Sequence, residues 1–141
     1  MARSELACPD LLGAGSADDD HERGAAVVDF ALIGGLLTVI FVAILQLTLV
    51  LHVRNTLIDA ASSGARYGAL ADRDPQDAAG RTEELIRGSL SETYSSDITV
   101  GQSTLGGVAT LEVVVRAPLP VIGLVGPGGV LEVRGHAALP S

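Results

Sequence analysis

The stretch that decides the fold is residues 30–51, FALIGGLLTVIFVAILQLTLVL. It contains no charged side chain, and only Thr38, Gln46 and Thr48 interrupt the apolar ones. As an α-helix rising about 1.5 Å per residue it extends roughly 33 Å, enough to cross a hydrocarbon core about 30 Å thick. It is apolar on every side, which suits a helix surrounded by lipid. Gly34 and Gly35 are tolerated in membrane helices. The rest of the chain is too small to enclose such a helix as a soluble core. The run is also longer than the roughly 7–15 apolar residues of a cleaved signal sequence.

Downstream the pattern changes without a break. After His52 and Arg54, the residues Asn55, Asp59, Ser62 and Arg66 fall at i, i+4, i+7 and i+11, one polar stripe of a helix, with Leu57, Ile58, Ala61 and Ala65 on the other side. No Pro or turn cluster intervenes, so the membrane helix is expected to continue as a stalk to about Leu70. Ala60, Gly64 and Gly68 repeat every four residues. Small side chains at that spacing allow close packing, against the protein's own sheet or against another subunit. Asp72 to Pro75 ends this helix. A second, short helix then starts with Asp74 as cap, Pro75 in the first position and Asp77 in the first turn. Ala78, Thr82, Leu85, Ile86 and Leu90 form its buried face, and Glu83 and Arg87 an outer i, i+4 pair.

The remainder reads as three strands. Ile98, Val100 and Gln102 alternate with Thr99, Gly101 and Ser103; Gly106–Gly107 is a turn dipeptide; residues 108–116 (VATLEVVVR) are a β-branched run stopped by Pro118 and Pro120; residues 130–137 (VLEVRGHA) form the last strand. The expected architecture is α+β: a long N-terminal transmembrane helix continuing into a stalk, a second short helix and a small antiparallel sheet. Between the last two strands lies PLPVIGLVGPGG, an apolar connection that needs a partner: the membrane surface, the stalk or another subunit.

Upstream, residues 1–23 show no periodicity and read as a flexible acidic leader. The 141-residue chain is 48% hydrophobic but only 3% aromatic, without Trp, and its mean hydropathy is +0.41. The net charge is −8, every one of the nine basic residues is Arg, and no segment is basic. Nucleic acid is therefore not an expected partner, because phosphate neutralisation supplies most of such affinity. Cys8 is the only cysteine, so an intrachain disulfide and a CxxC metal site are both excluded. No hydrophobic region precedes it, as a lipid-attachment signal would need, and it reads as an ordinary thiol. His21, His52 and His136 are scattered, and no HExxH, GxSxG or phosphate-loop pattern is present. Gly126–Pro127–Gly128–Gly129 lacks the Lys and Ser/Thr of a phosphate loop, and Glu83–Glu84 diverge by about 100° on a helix. No catalytic, metal or cofactor residue is expected.

The run Glu22–Arg23–Gly24–Ala25–Ala26–Val27–Val28–Asp29–Phe30–Ala31–Leu32, followed by the apolar helix, resembles the start of TadE-like proteins of the tight-adherence (Flp) pilus system. Arg54–Asn55–Thr56–Leu57, Ala60–Ala61 and Gly64–Ala65–Arg66–Tyr67 are similar to the pattern that follows the membrane helix in that family. The resemblance covers about residues 22–70; the C-terminal half matches only in kind. It implies a pilin-like fold and a minor pilin or pseudopilin role in pilus assembly. Its partners would be the lipid bilayer, other pilin-like subunits, the assembly machinery and a prepilin peptidase. That peptidase would cut between Gly24 and Ala25. Residues 1–24 would then be a cytoplasmic leader, 25–53 the transmembrane helix and 54–141 an extracytoplasmic domain. Asp29 would become the fifth residue of the mature chain, where the family usually has Glu, and Asp29 with Phe30 would form the processing and assembly edge.

Independently of resemblance, a carboxylate at the edge of an apolar helix is costly unless paired. Asp29 could neutralise a free amine at Ala25 one turn away, or one on a neighbouring subunit, or remain solvated among headgroups. Charge does not support the N-in orientation implied by the family: Arg23 alone precedes the helix closely, while Arg54, Arg66 and Arg73 follow it. The alternative function is an uncleaved, single-pass anchored interaction module of a cell-envelope complex, suggested by the apolar connection from Pro118 to Val125.

Overall fold

A computed structural model describes residues 16–120 and 129–140, with side chains from residue 21 onward. Cys8 and the connection 121–128 lie outside the described residues. The architecture is α+β. Helix α1 (Ser16–Gly68) carries the apolar run and its polar continuation without interruption, and helix α2 spans Pro75–Ser89. A 3-10 turn at Glu92–Ser95 leads into strands β1 (Asp97–Leu105), β2 (Val108–Pro118) and β3 (Val130–Ala138). These pair antiparallel in the order β1-β2-β3.

The chain divides into two compact units, one ending at Ala43 and the other comprising Ile44–Ser141. In the first, helical turns present their apolar side chains outward: Phe30 is 80% exposed and Phe41 62%. Thr38, the one polar side chain of residues 30–43, donates its hydroxyl to the Gly34 carbonyl at 2.8 Å and is satisfied inside the helix. The helix begins eight residues before Gly24, so the end of the segment expected to be a flexible leader is helical. No Pro or Gly interrupts residues 16–23, and extending a helix costs far less than nucleating one.

In the second unit, Val53, Leu57, Ala60, Ala61 and Ala65 of α1 are buried. The spacing of three and four makes them one face, and Arg54, Asn55, Asp59 and Arg66 stay outside. Against this face lie Ala78 and Ile86 of α2 and the inward row Leu111, Val113, Val115 and Ala117 of β2, with Val133 of β3. The layers approach closely because the side chains between them are short. A Cβ on Gly135 would collide with the Ala61–Ser62 backbone. One on Gly64 would meet Thr82 and, at 2.8 Å, the Ala78 carbonyl; one on Gly68 would lie 2.6 Å from Ala78 Cβ and 2.9 Å from Leu111 Cδ2. The buried Thr82 hydroxyl donates to the Ala78 carbonyl at 2.7 Å, so no polar group is orphaned at this contact.

Helix α1 stops at Gly68, two residues before Leu70, and Arg73 stacks over the Tyr67 ring 4.8 Å from its centroid as the chain turns. The start of α2 is a capping box: Asp74 accepts from the Gln76 amide at 3.0 Å, and Asp77 accepts from the Asp74 amide at 3.2 Å. The β1–β2 hairpin closes on Gly106 and Gly107 at φ of 60° and 84°, the positive angles that a tight hairpin turn requires. The 3-10 turn has no counterpart in the sequence pattern, being too short to show a period; Ser95 anchors it by donating to the Glu92 carbonyl at 2.9 Å. Of the alternating set Ile98, Val100 and Gln102, the first two are half-buried and Gln102 is exposed. The next residue, Ser103, meets Thr110 hydroxyl to hydroxyl at 3.0 Å.

Gly135→Ala is expected to destabilise the full chain in detergent micelles by about 1–3 kcal/mol, because the added methyl must push two backbones apart. Gly80→Ala, in the interior of α2 with open space around it, is expected to stabilise it by about 0.5–1 kcal/mol. Denaturant unfolding of both variants checks the pair; equal stability of Gly135→Ala and the parent would refute the close approach.

Candidate functional site

The residues expected to form the processing and assembly edge all lie on α1. Gly24, Ala25, Asp29 and Phe30 are exposed, and a Cβ on Gly24 would meet nothing within 4 Å. Ala25 and Asp29 stand one helical turn apart on the same side. The edge is accessible, and it is followed by apolar side chains that are exposed among the described residues. Ala60, Gly64 and Gly68 take no part in that surface: they face α2 and the sheet within their own domain, at the contacts given above.

The second candidate surface is the open face of the sheet, which the sequence pattern did not single out. Residues 112 and 116 of β2 and 132, 134 and 136 of β3 point away from the helices. The register sets Glu112 opposite His136 and Arg116 opposite Glu132. His136 Nε2 donates to Glu112 Oε2 at 2.8 Å, Arg134 reaches Glu132 at 2.7 Å and Glu112 at 3.7 Å, and Arg116 donates to Glu132 at 2.9 Å. Five charged or titratable side chains thus form one chain of contacts. The available signal was the matching alternation in EVVVR and EVRGH, but it becomes informative only once the strands are paired in register. Hydrogen bonds from Arg134 and then Arg116 hold the Glu132 carboxyl below its usual range, and Glu132 in turn raises Arg134. These groups are exposed, and such pairs contribute little individually.

Among the described residues no group of three or more His, Cys, Asp or Glu side chains is placed to hold a metal ion. A shallow cavity of about 370 Å³ is lined by Glu83, Arg87, Glu92, Ser95 and Ile98, among others. Its charges are already paired, with Arg87 at 2.8 Å from Glu83 and 2.9 Å from Glu92. It offers surface ion pairs and no convergent catalytic set.

Residues 24–66 match the model of a family described as TadE-like protein. The match begins at Gly24 and ends in the last turn of α1, so the TadE-like part of the chain lies wholly on that helix. No curated protein and no solved structure matches the chain significantly. A TadE-like segment on an exposed apolar helix long enough to span a bilayer points to a membrane protein related to the Tad pilus.

Because the folded Glu132 carboxyl titrates below its ordinary value of 4.5, its ion pairs add stability above that value, and this is lost as pH falls through the lower folded value. Thermal unfolding followed from about pH 6 downward should show the loss, and Glu132→Gln should flatten that part of the profile. Superimposable profiles of variant and parent would contradict the assignment.

Proposed function

We propose that the chain is a TadE-like minor pilin or pseudopilin that takes part in assembling a tight-adherence (Flp-type) pilus. The match over residues 24–66 carries this reading, because it covers both the edge of the apolar helix and the turns that follow it. Residues 1–24 act as a cytoplasmic leader, and a prepilin peptidase cuts between Gly24 and Ala25. The exposure of this edge of α1 supports access by such an enzyme.

Cutting leaves a free amine at Ala25, one turn from Asp29. A carboxylate at the membrane edge is stabilised by an opposite charge and costly without one. Asp29 therefore neutralises the new amine of its own chain or of a neighbouring subunit. Being one methylene shorter than Glu, it needs a closer approach. The uncovered side chains of α1 from Phe30 onward serve first as the lipid contact and then as the surface on which other pilin-like helices pack. In this arrangement the N-terminus is cytoplasmic and the α+β domain extracytoplasmic.

The intact mass of the protein taken from its native membrane is expected to correspond to a chain beginning at Ala25; a species still beginning at Met1 would refute processing. Asp29→Ala is expected to insert normally but to abolish pilus formation in the native host, scored by microscopy of surface fibres. Unchanged fibres together with an uncut chain would instead favour an anchored interaction module of the envelope.

A further inference from the structure

The last turns of the apolar run belong to the folded domain. Leu49 packs against the core, Gln46 and Val50 are half-buried, and the domain's compact unit begins at Ile44. Residues 44–51 nevertheless continue the uncharged run that carries α1 through hydrocarbon. Whatever the domain lays beside Leu49 therefore sits at or near lipid depth.

The register identifies that part. Leu111, paired with Ala137, lies against Gly68, whereas Gly135 lies against Ala61 and Ser62. Travelling along β3 from Ala137 to Val130 thus runs toward the N-terminal side of α1. Val130 lies five residues beyond Gly135, at most about 17 Å of strand. That equals about eleven residues of helix and brings Val130 to the level of about Val50. The same reckoning puts Glu132 near Arg54, the first charged residue after the apolar run. Glu132 stands in one cross-strand row with Arg116 and Asp97. The charged border of the sheet and the charged border of the helix therefore fall at the same height.

Beyond that border the described residues 117–120 and 129–131 carry no charge. Pro118 pairs with Val130 and both are exposed, Val130 at 68%. Leu119 donates its amide to the Gly129 carbonyl at 3.0 Å, which satisfies backbone that would be expensive to leave open in a poorly hydrated layer. We infer that this end of the β2–β3 hairpin, Pro118–Pro120 with Gly129 and Val130, is seated in the interfacial layer of the bilayer that α1 spans, with lipid as its partner. Apolar side chains without charge, backed by a charged row at headgroup height, are the chemistry of an interfacial contact. The inference rests on α1 spanning a membrane and not on the pilus assignment.

The chain has no Trp, so single-Trp variants report position directly. Val130→Trp, Val108→Trp at the opposite end of the sheet and Ile40→Trp within the apolar run are made in the full chain. Each is reconstituted into phosphatidylcholine vesicles with brominated acyl chains, which quench Trp on contact. Val130→Trp and Ile40→Trp are expected to be quenched several-fold more than Val108→Trp. Pro118→Trp repeats the reading from the cross-strand partner should Val130→Trp disturb the sheet. Quenching at 130 and 118 no stronger than at 108, with Ile40→Trp quenched, would overturn the interfacial seat alone. Escape of Ile40→Trp as well would overturn the membrane span beneath it.

Discussion

The domain depends on how closely its layers can approach. Gly135 brings the backbone of β3 against the backbone of α1 at Ala61 and Ser62, and Gly64 and Gly68 let α2 lie against the same helix. A chain with so few aromatic residues cannot fill a thick core, so it builds a thin one. Ala60, Ala61, Ala65 and Ala78 occupy positions where larger side chains would hold the layers apart. The favourable terms are then many short contacts at near-optimal distance in place of a few large buried rings. The position of α2, the tilt of the sheet's inner row onto the helices and the sealing of Thr82 all follow from that proximity.

Much of this was legible in the residues. The uncharged run 30–51 announced α1, the Asp74–Pro75–Asp77 sequence marked the start of α2, and the β-branched residues before Pro118 marked β2. Besides the 3-10 turn, three features were not legible, each for a physical reason. The helical state of residues 16–23 depends on extension from an already formed helix, since those residues carry no period of their own. The entry of Leu49 into the core was hidden because an apolar side chain on an apolar helix reads the same whether it meets lipid or protein. The contacts linking His136, Glu112, Arg134, Glu132 and Arg116 depend on strand register, which a single sequence specifies weakly until its partner is known. The family match covers residues 24–30 without reaching the sheet.

That division of the match has a structural sense. The matched residues 24–66 lie on the helix, and the match does not extend over the sheet. On one face the sheet is apolar and closed by helices; on the other it is polar, with Glu112 and Glu132 each drawing on two cationic or titratable neighbours. Among the described residues β1 and β3 are the edges of this sheet, and charged side chains beside an edge are a known guard against strand-to-strand association.

The meander has one more consequence, for the order of assembly. Its strands are neighbours in sequence, so the hairpins β1–β2 and β2–β3 can form from local contacts. The contact between Ala61 and Gly135, by contrast, joins distant parts of the chain. Closing so long a loop costs little more than closing a shorter one, because the entropy grows only logarithmically with length. What it does require is a residue without a side chain on β3, because Gly135 meets the α1 backbone itself at Ala61 and Ser62. The glycine in β3 and the alanine in α1 thus tie the last strand of the chain to its first helix through a long-range contact.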